Sequence, residues 1–376
     1  MTTRSPSTRR RNGNDPAATA ALERPREVAA AVEAWFARAG RTLPWREVRT
    51  GYTALVSEFM LQQTQVSRVV PKFEEFMRRF PTVAALAAAD EQAVLAAWQG
   101  LGYYRRARLL HAAAKAIVER FGGRVPETVD DLVTLPGVGR YTAGSIASIA
   151  FGQRVPIVDT NVARVLLRVA GREGASGDPA IVAWAWDEAT RLVEAASDPA
   201  RLNEGLMELG ATVCPASTPA CLLCPLAALC RARANGEVGP VRAKPTPTRR
   251  TRVYHHVVVV RRGDELLLER RASTGLWASM WQAPTVEHDS LLDVDELAPR
   301  LALRVTGLSR VREFEHQTSH RTVVFVVHEA RTRSRDGTWA ARAALAEYPL
   351  SNPMRRILAD ALTPPSPNRP VRARSS

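Results

Sequence analysis

The sequence predicts a multidomain protein, in which an all-α domain ends in a four-cysteine loop and is followed by a smaller α+β domain. Apolar residues recur at helical spacing through most of residues 26–209. All four cysteines lie between Cys214 and Cys230, directly after this helical region. Beyond residue 252 the pattern changes to short apolar runs separated by turn residues, which is typical of strands. A chain of 376 residues is long enough for two or three such domains.

The charge balance indicates a polyanionic partner. The chain has 52 Lys and Arg against 38 Asp and Glu, a formal net charge of +14, while its hydrophobic content of 45% is ordinary for a globular protein. Nucleic acid is the simplest partner for such a basic chain. No apolar run approaches the roughly 20 residues that a membrane span requires. Residues 1–25 have no apolar core, so we expect no secretory signal and predict a cytoplasmic protein.

Changes in composition predict the domain boundaries. Residues 233–252 are rich in Gly, Pro, Arg and Lys, which is typical of a linker. After them, His255 to Arg261 and Glu265 to Arg270 are predicted strands joined through Gly263-Asp264, a hairpin turn signal. The predicted divisions are a disordered basic arm (1–25), a helical domain (26–232) with its cysteine loop (214–230), a linker (233–252), an α+β domain (253–362) and a basic tail (363–376).

A helix–turn–helix hairpin is predicted around Leu135-Pro136-Gly137-Val138-Gly139. Pro136 ends the preceding helix, and the two glycines allow the backbone to adopt positive φ and to approach another molecule closely. The small-residue helix from Arg140 to Phe151 then begins at the turn, with its backbone N–H groups directed at one point. This arrangement suits a phosphate group.

Two acidic residues are candidates for catalysis, although each also fits a common structural role. Asp159 ends the apolar run Val155 to Val158 and precedes a helix, so it is either an N-cap or an active-site carboxylate, and on this stretch alone the cap is favoured. Glu58 lies among apolar residues in the stretch Tyr52 to Val70, which is predicted to be helical for most of its length. A lone glutamate on a helix is usually solvated surface. The motifs described next favour the catalytic interpretation.

The four cysteines form the pattern Cys214-x6-Cys221-x2-Cys224-x5-Cys230. Four thiolates in one short loop suit either tetrahedral zinc or an iron–sulfur cluster. Zinc ribbons usually pair two CxxC knuckles, and only one is present here. The spacing therefore favours a [4Fe–4S] cluster.

Residues 26–232 resemble the helix-hairpin-helix DNA glycosylases of the endonuclease III superfamily. The resemblance rests, in chain order, on SEFMLQQTQV, GLGYYRRARLLH, LPGVGRYTAG, VDTNVARVL and the four-cysteine loop. With the C-terminal domain added, the chain is similar to adenine DNA glycosylases of the MutY type. This resemblance implies a monomer that flips and removes adenine opposite 8-oxoguanine or guanine in double-stranded DNA, with a [4Fe–4S] cluster.

The resemblance also implies roles for individual residues. Glu58 matches the acid that protonates adenine N7, and Asp159 matches the carboxylate that stabilises the oxocarbenium-like transition state. Tyr141 stands where bifunctional relatives have a lysine nucleophile, so a monofunctional enzyme is expected. The remaining matches are Tyr141 and Asn161 as residues that hold these groups, Trp45, Arg46, Leu61 and Glu204 in the adenine pocket, Gln63 and Tyr103 beside the lesion, and Gly137 and Gly139 on a DNA phosphate.

The C-terminal half resembles the Nudix-like domain that reads 8-oxoguanine, through GLWASMWQAP and HQTSH. Ser319 and His320 match the lesion-reading residues, and Thr318 stands where a phenylalanine is expected. Thr285 to Leu303 lacks the paired glutamates of a catalytic Nudix box, so no pyrophosphatase activity is expected.

Three alternatives follow from the same residues. The first is an endonuclease III-like pyrimidine or mismatch glycosylase, against which Tyr141 and the extra domain argue. The second is a non-catalytic DNA-binding protein that uses the hairpin and the cysteine loop only for docking. The third is a Nudix hydrolase with a DNA-binding appendage.

Overall fold

The computed structural model describes residues 22–239, 250–318 and 320–361. These residues form two compact units, one of residues 22–62 and 116–239 and the other of residues 63–115 and 250–361. The predicted tail and most of the predicted arm lie outside the described residues, as does the middle of the predicted linker. The domain boundaries given above therefore stay predictions. In the part of the chain that is described, no helix is long and apolar enough to cross a membrane.

Residues 22–239 contain helices throughout. They are α1 (Pro25–Ala39), α2 (Pro44–Glu47), α3 (Gly51–Leu61), α4 (Val66–Arg79), α5 (Val83–Ala88), α6 (Glu91–Ala97), α7 (Arg105–Phe121), α8 (Val129–Leu132), α9 (Arg140–Phe151), α10 (Thr160–Ala170), α11 (Pro179–Ala195), α12 (Pro199–Thr212) and α13 (Arg231–Ala234). A short 3-10 helix, Cys221–Leu223, lies within the cysteine loop.

The core of the first unit is formed by α1, α10, α11 and α12. Apolar side chains from these helices, among them Val32, Leu166, Leu192 and Leu206, pack into one buried cluster. The stretch Tyr52 to Val70 is helical for most of its length, as predicted, but it divides into α3 and α4, because Gln62 leaves the helical conformation and Gln63 has a φ of 55°. Neither residue is a glycine or a proline, so the sequence carries no ordinary signal for this break.

The predicted hairpin is present in the first unit. Helix α8 is capped by the Thr128 side chain, and the chain then turns at Gly137, which has a φ of 78°. The Val138 N–H donates to the Leu135 carbonyl at 3.1 Å and closes the turn. Gly139 is the N-cap residue of α9, so the second helix begins where the sequence predicts.

Residues 250–361 form the predicted α+β arrangement. Its elements are β1 (Thr251–Arg262), β2 (Glu265–Arg270), β3 (Trp281–Gln282), β4 (Thr285–His288), α14 (Val294–Leu297), β5 (Thr306–Gln317), β6 (Arg321–Arg331), β7 (Thr338–Ala341) and α15 (Asn352–Ala361), with 3-10 helices at Ala298–Arg300 and Arg342–Glu347. The sheet has the order β3-β2-β1-β6-β5, with β4 paired to β1 and β7 paired to β2. Only β1 and β6 run parallel among these pairs.

Both faces of this sheet are covered. Alternate residues of β1 enter different apolar clusters, with Val257 and Val259 in the one that includes α15, and Val258 and Val260 in the one that includes α14. A strand directs successive side chains to opposite faces, so this division places β1 at the centre of the sheet with apolar layers on both sides. Burial on both faces explains why the sequence of β1 contains a continuous apolar run.

The second unit also includes helical residues 63–115. The Gln99 side chain donates to the Tyr348 carbonyl at 2.6 Å, and an Arg108 N–H donates to the Ala278 carbonyl at 2.7 Å. The Tyr104 hydroxyl donates to the carbonyl of Leu350 at 3.2 Å. These hydrogen bonds join segments that are far apart in the chain.

Candidate active site

Glu58 is buried in the first unit. It lies in α3, where every residue from Gly51 to Met60 is buried, and its own exposed fraction is 7%. The hydroxyl of Ser145 in α9 donates to its Oε1 at 2.7 Å. Burial raises the pKa of the Glu58 carboxyl to about 7, and the nearby carboxylates of Asp159 and Glu204 add to this, while hydrogen bonds from Ser145 and Tyr141 oppose it. At neutral pH this carboxyl group therefore binds a proton part of the time.

Asp159 is the N-cap residue of α10, which is one of the two roles that the sequence predicts for it. Its Oδ1 accepts from the Val162 N–H at 2.7 Å, and its Oδ2 accepts from the Asn161 amide at 2.8 Å. Burial raises the pKa of Asp159, and these two hydrogen bonds oppose the increase. The capping role does not remove the carboxylate from the site, because its charge still acts on Glu58 and Tyr141.

Tyr141 lies beside both carboxyl groups. Its hydroxyl hydrogen-bonds to Glu58, and the hydroxyl oxygen lies 3.1 Å from the Sδ of Met207. Burial raises its pKa well above the ordinary tyrosine value, and the charges of Glu58 and Asp159 act in the same direction. Tyr141 is therefore a neutral phenol that serves as a hydrogen-bond donor. The structure thus brings together the four residues that were predicted for one catalytic group, namely Glu58, Tyr141, Asp159 and Asn161.

The predicted adenine-pocket residues contain a buried ion-pair network. Arg46 in α2 contacts Glu204 in α12 at 2.9 Å and Glu208, one turn later, at 3.1 Å. Each of the two glutamate side chains has a second arginine partner, Arg49 for Glu204 at 2.6 Å and Arg41 for Glu208 at 2.5 Å. Only 2% of Glu204 is exposed, so arginine side chains take the place of water around its carboxylate.

The other two predicted pocket residues are apolar. Trp45 is buried in α2, and Leu61 is the partly buried last residue of α3, the helix that carries Glu58. Of the four pocket residues, Glu204 acts on the charge of Glu58, and Leu61 ends the helix that carries Glu58.

The four cysteines line one pocket of the first unit. Apolar side chains of Val165, Leu209 and Leu226 line the same pocket. Burial raises the pKa of the Cys224 thiol to about 11, and the three other cysteines act in the same direction. An Arg168 N–H donates to the Sγ of Cys214 at 3.1 Å. Across the described residues, no group of three or more His, Cys, Asp or Glu side chains is arranged to hold a metal ion.

Arg164 connects the cysteine loop to the carboxyl groups. It lies one turn after Asn161 in α10 and donates to the Asn161 side-chain oxygen at 2.8 Å. The same guanidinium donates to the carbonyls of Gly210 at 2.8 Å and Cys214 at 3.0 Å. Asn161 is in turn bonded to Asp159. One buried arginine therefore holds the start of the cysteine loop and, through Asn161, the Asp159 carboxylate.

Backbone N–H groups are available at the hairpin of the first unit. Gly139 makes no side-chain capping bond at the start of α9, a helix of 12 residues. The positive end of a helix dipole and the N–H groups of its first turn favour an anion there. Arg140 stacks over Trp186 at 3.8 Å from the ring centroid, which places a cation at the same helix start.

Two of the predicted lesion-side residues lie in the second unit, in unusual backbone conformations. Gln63 and Tyr103 have φ values of 55° and 48°, which residues other than glycine rarely adopt. Tyr103 is 52% exposed, and the Arg106 guanidinium lies 5.5 Å from its ring centroid. Arg106 also donates to the Gly102 carbonyl at 3.2 Å and to the Thr64 hydroxyl at 2.9 Å. One arginine thus connects the segments that carry Gln63 and Tyr103.

Thr318 closes the loop that carries the predicted lesion-reading pair. Its N–H and its hydroxyl both donate to the Arg321 carbonyl, and its hydroxyl accepts from the Arg321 N–H at 3.0 Å. His320 is exposed at the end of this turn, and Ser319 lies outside the described residues. Thr318 therefore has a structural role at the position where the family resemblance predicts a phenylalanine.

Three residues of the site were not identified from the sequence. Ser145 and Glu208 each lie four residues after a predicted site residue on the same helix, and Arg164 lies three residues after Asn161. Residues three or four apart share one face of a helix, so this spacing could have identified them.

Comparisons with known proteins agree with the predicted helical and α+β domains. Residues 56–182 match the HhH-GPD superfamily of base excision DNA repair proteins, and residues 256–360 match the NUDIX domain. A solved structure of a thermostable thymine-DNA glycosylase is 26% identical, with a TM-score of 0.50, and the match covers 56% of this chain and 97% of that one.

Several curated relatives are adenine DNA glycosylases. The human protein is 46% identical over 208 residues, which cover 53% of this chain and 38% of the human one. The rat protein is 36% identical over 355 residues, covering 78% of this chain and 68% of the rat one. The protein of Mycolicibacterium smegmatis is 47% identical over 205 residues, covering 54% of this chain and 68% of that relative. This chain therefore matches well under half the length of the human relative, but more than two thirds of the other two.

The two matched domains occur in the order that the sequence predicts, a helical domain followed by an α+β domain. At these identities and coverages, the chain belongs to the adenine DNA glycosylase family.

Proposed function

We propose that this protein removes adenine mispaired with 8-oxoguanine or guanine in double-stranded DNA, by hydrolysis of the N-glycosidic bond. The observation that carries the proposal is the pair of carboxyl groups, Glu58 and Asp159, which interact in one buried site of the first unit. Glycoside hydrolysis generally needs one carboxyl group as an acid and a second as an ionised stabiliser or nucleophile. Family membership supports adenine as the base.

Glu58 acts as the general acid in this proposal. An acid is most effective when its pKa lies near the working pH, and the Glu58 pKa of about 7 meets that condition. Protonation of adenine N7 turns a poor leaving group, the adenine anion, into a neutral base. The C1′–N9 bond then breaks with its electron pair moving onto the base, and water adds to C1′ and loses a proton to complete the hydrolysis.

Asp159 stabilises the positive charge that develops on the sugar. The hydrogen bonds from Val162 and Asn161 favour its ionised form, in opposition to burial. The two environments thereby separate the roles, one carboxyl being protonated and the other ionised. Tyr141 and Asn161 hold the pair in place through their hydrogen bonds to Glu58 and Asp159.

The base has to leave the duplex to reach this site, because the target atoms are inaccessible within stacked DNA. We propose that Trp45, Arg46, Leu61 and Glu204 form the pocket for the extruded adenine. The backbone N–H groups at Gly137 and Gly139 bind a DNA phosphate near the start of α9. Gln63 and Tyr103 contact the duplex at the lesion, and Ser319 and His320 read 8-oxoguanine.

The proposed enzyme is monofunctional. A Schiff base requires a lysine amine, and the residue after the hairpin arginine is Tyr141, a phenol whose pKa is raised well above its usual value. Base removal without strand cleavage is the consequence.

We propose that Cys214, Cys221, Cys224 and Cys230 hold a [4Fe–4S] cluster. Their convergence on one apolar pocket supports the fit. A [4Fe–4S] cluster is held by four cysteine thiolates, which is the number that lines this pocket. When bound, the cluster would cross-link these four cysteines within the loop and would supply one-electron redox chemistry.

The test is single-turnover cleavage of matched duplexes that contain A:8-oxoguanine, A:G, A:T, G:T or thymine glycol. We expect adenine release from the first two, strand breaks only after alkali treatment, and strong loss of activity in Glu58→Gln and Asp159→Asn. Glu127→Gln, which changes an exposed glutamate of the same unit, is the matched control. Cleavage of the pyrimidine lesions instead would indicate an endonuclease III-like enzyme, and binding without cleavage would indicate a non-catalytic protein.

A further inference from the structure

We propose that Ser145 is a positioning residue for Glu58, and that its hydroxyl fixes the orientation in which the Glu58 carboxyl group delivers a proton to the base. This inference rests on the proposed function and deepens it. Ser145 does not need to contact the substrate, because it acts through Glu58.

The geometry distinguishes this serine from an ordinary helical one. Ser145 is fully buried in the middle of α9, and its Oγ donates to Glu58 Oε1 at 2.7 Å. A serine within a helix commonly donates to the carbonyl four residues earlier in the same helix. Here the bond goes to a carboxyl group of another helix, α3, at a distance typical of a strong O–H···O bond.

Ser145 and Tyr141 hold the carboxyl group jointly. They lie four residues apart on α9 and therefore share one face of this helix. Both hydroxyls hydrogen-bond to Glu58. Because Oε1 accepts the hydrogen bond from Ser145, the proton of the carboxylic acid is carried on Oε2. The group is thus prevented from rotating into orientations in which its proton would point away from the base.

The groups that face Glu58 have opposing effects on its protonation. The hydroxyls of Ser145 and Tyr141 on α9 lower its pKa, whereas Asp159 before α10 and Glu204 on α12 raise it. Removal of the Ser145 hydroxyl therefore leaves a weaker acid with less defined orientation. The weaker acid should shift the pH midpoint of the reaction, and the less defined orientation should lower the maximal rate.

A merely structural role makes a different prediction, and Ser148 provides the matched control. It lies on the same helix and is also fully buried, but it accepts a hydrogen bond from Asn203 at 2.8 Å. Ser148→Ala therefore removes a buried hydroxyl of α9 without touching Glu58. If buried hydroxyls matter only for packing, Ser145→Ala and Ser148→Ala should behave alike.

The experiment measures the single-turnover rate of adenine release from an A:8-oxoguanine duplex over a range of pH, with the full chain. For Ser145→Ala we expect the maximal rate to fall on the order of tenfold, as for a misoriented catalytic group. The pH at which the rate is half-maximal on the alkaline side should rise by about one unit, the size of effect expected for one hydrogen bond to a charged group. Ser145→Thr, which keeps the hydroxyl, should retain the wild-type midpoint, and so should Ser148→Ala.

An unchanged rate and midpoint in Ser145→Ala, or a midpoint shift of the same size in Ser148→Ala, would overturn the role of Ser145 and leave the proposed function intact. Failure of the wild-type protein to release adenine from any duplex would instead overturn the proposed function and this inference together.

Discussion

The burial of Glu58 should cost the protein stability in a pH-dependent way, and Glu58→Gln should remove that cost. The pKa of this carboxyl rises from its ordinary 4.5 to about 7 in the folded protein. An acid whose pKa is higher in the folded state binds protons more tightly there. Its contribution to stability is therefore most favourable below pH 4.5, declines as the pH rises to about 7, and stays unfavourable at higher pH.

The size of the effect follows from the two pKa values. Their difference is 7 − 4.5, or about 2.5 units, and one unit corresponds to ~1.36 kcal/mol, so the cost at pH 8.5 is about 3 kcal/mol. At pH 5.5 the same linkage gives about 1 kcal/mol. The glutamine side chain has nearly the same shape and keeps a carbonyl oxygen for the Ser145 hydroxyl. The stabilisation by Glu58→Gln should therefore be larger at the higher pH by about 2 kcal/mol.

Thermal unfolding followed by circular dichroism at pH 5.5 and pH 8.5 measures this difference. For a unit of this size, about 2 kcal/mol corresponds to roughly 4–8 °C in the midpoint. We expect Glu58→Gln to raise the midpoint at both pH values, and by that much more at pH 8.5. Glu127→Gln is the control, because its side chain is exposed to solvent. A midpoint gain that is equal at the two pH values, or no gain at pH 8.5, would refute the reasoning.

Three further substitutions test other parts of the site. Asp159→Asn should lower the rate of adenine release by about 10²–10³-fold while leaving the circular dichroism spectrum unchanged, because asparagine still caps α10 but cannot stabilise a positive charge. Arg46→Ala should destabilise the protein by about 2–3 kcal/mol in urea unfolding, since it removes one of the two arginine partners of the buried Glu204 carboxylate; a loss below about 1 kcal/mol would contradict this. Gly210→Ala would place a Cβ 2.7 Å from the Cβ of Asn161. This crowding should slow adenine release, and an unaltered rate would show that the position of Asn161 is unimportant.

The helices and the hairpin could be predicted because their signals are local. The apolar repeat of α1 and α12 and the Pro-Gly-x-Gly turn before α9 act within a few residues. The break after α3 could not be predicted, since Gln62 and Gln63 have no backbone property that ends a helix. Strand β5 also escaped prediction, because it is mostly exposed and carries several charged residues instead of a continuous apolar run.

The chemistry of the site required information that a sequence pattern does not contain. Resemblance to a family identified Glu58 and Asp159, but the pKa of Glu58 depends on its burial and on groups contributed by other helices. Ser145 appears in the sequence as one small residue in a helix of small residues, and only tertiary packing shows that its hydroxyl contacts Glu58. Long-range contacts likewise explain why residues 63–115 group with the sheet.

The most direct test of the two-carboxyl mechanism is the pH dependence of single-turnover adenine release from an A:8-oxoguanine duplex by the wild-type protein and by Glu58→Gln. We predict a wild-type rate that declines as the pH rises through about 7, because the acid loses its proton, and a much slower Glu58→Gln variant without that decline. A wild-type rate that increases with pH, or a variant as fast as the wild type, would contradict the mechanism.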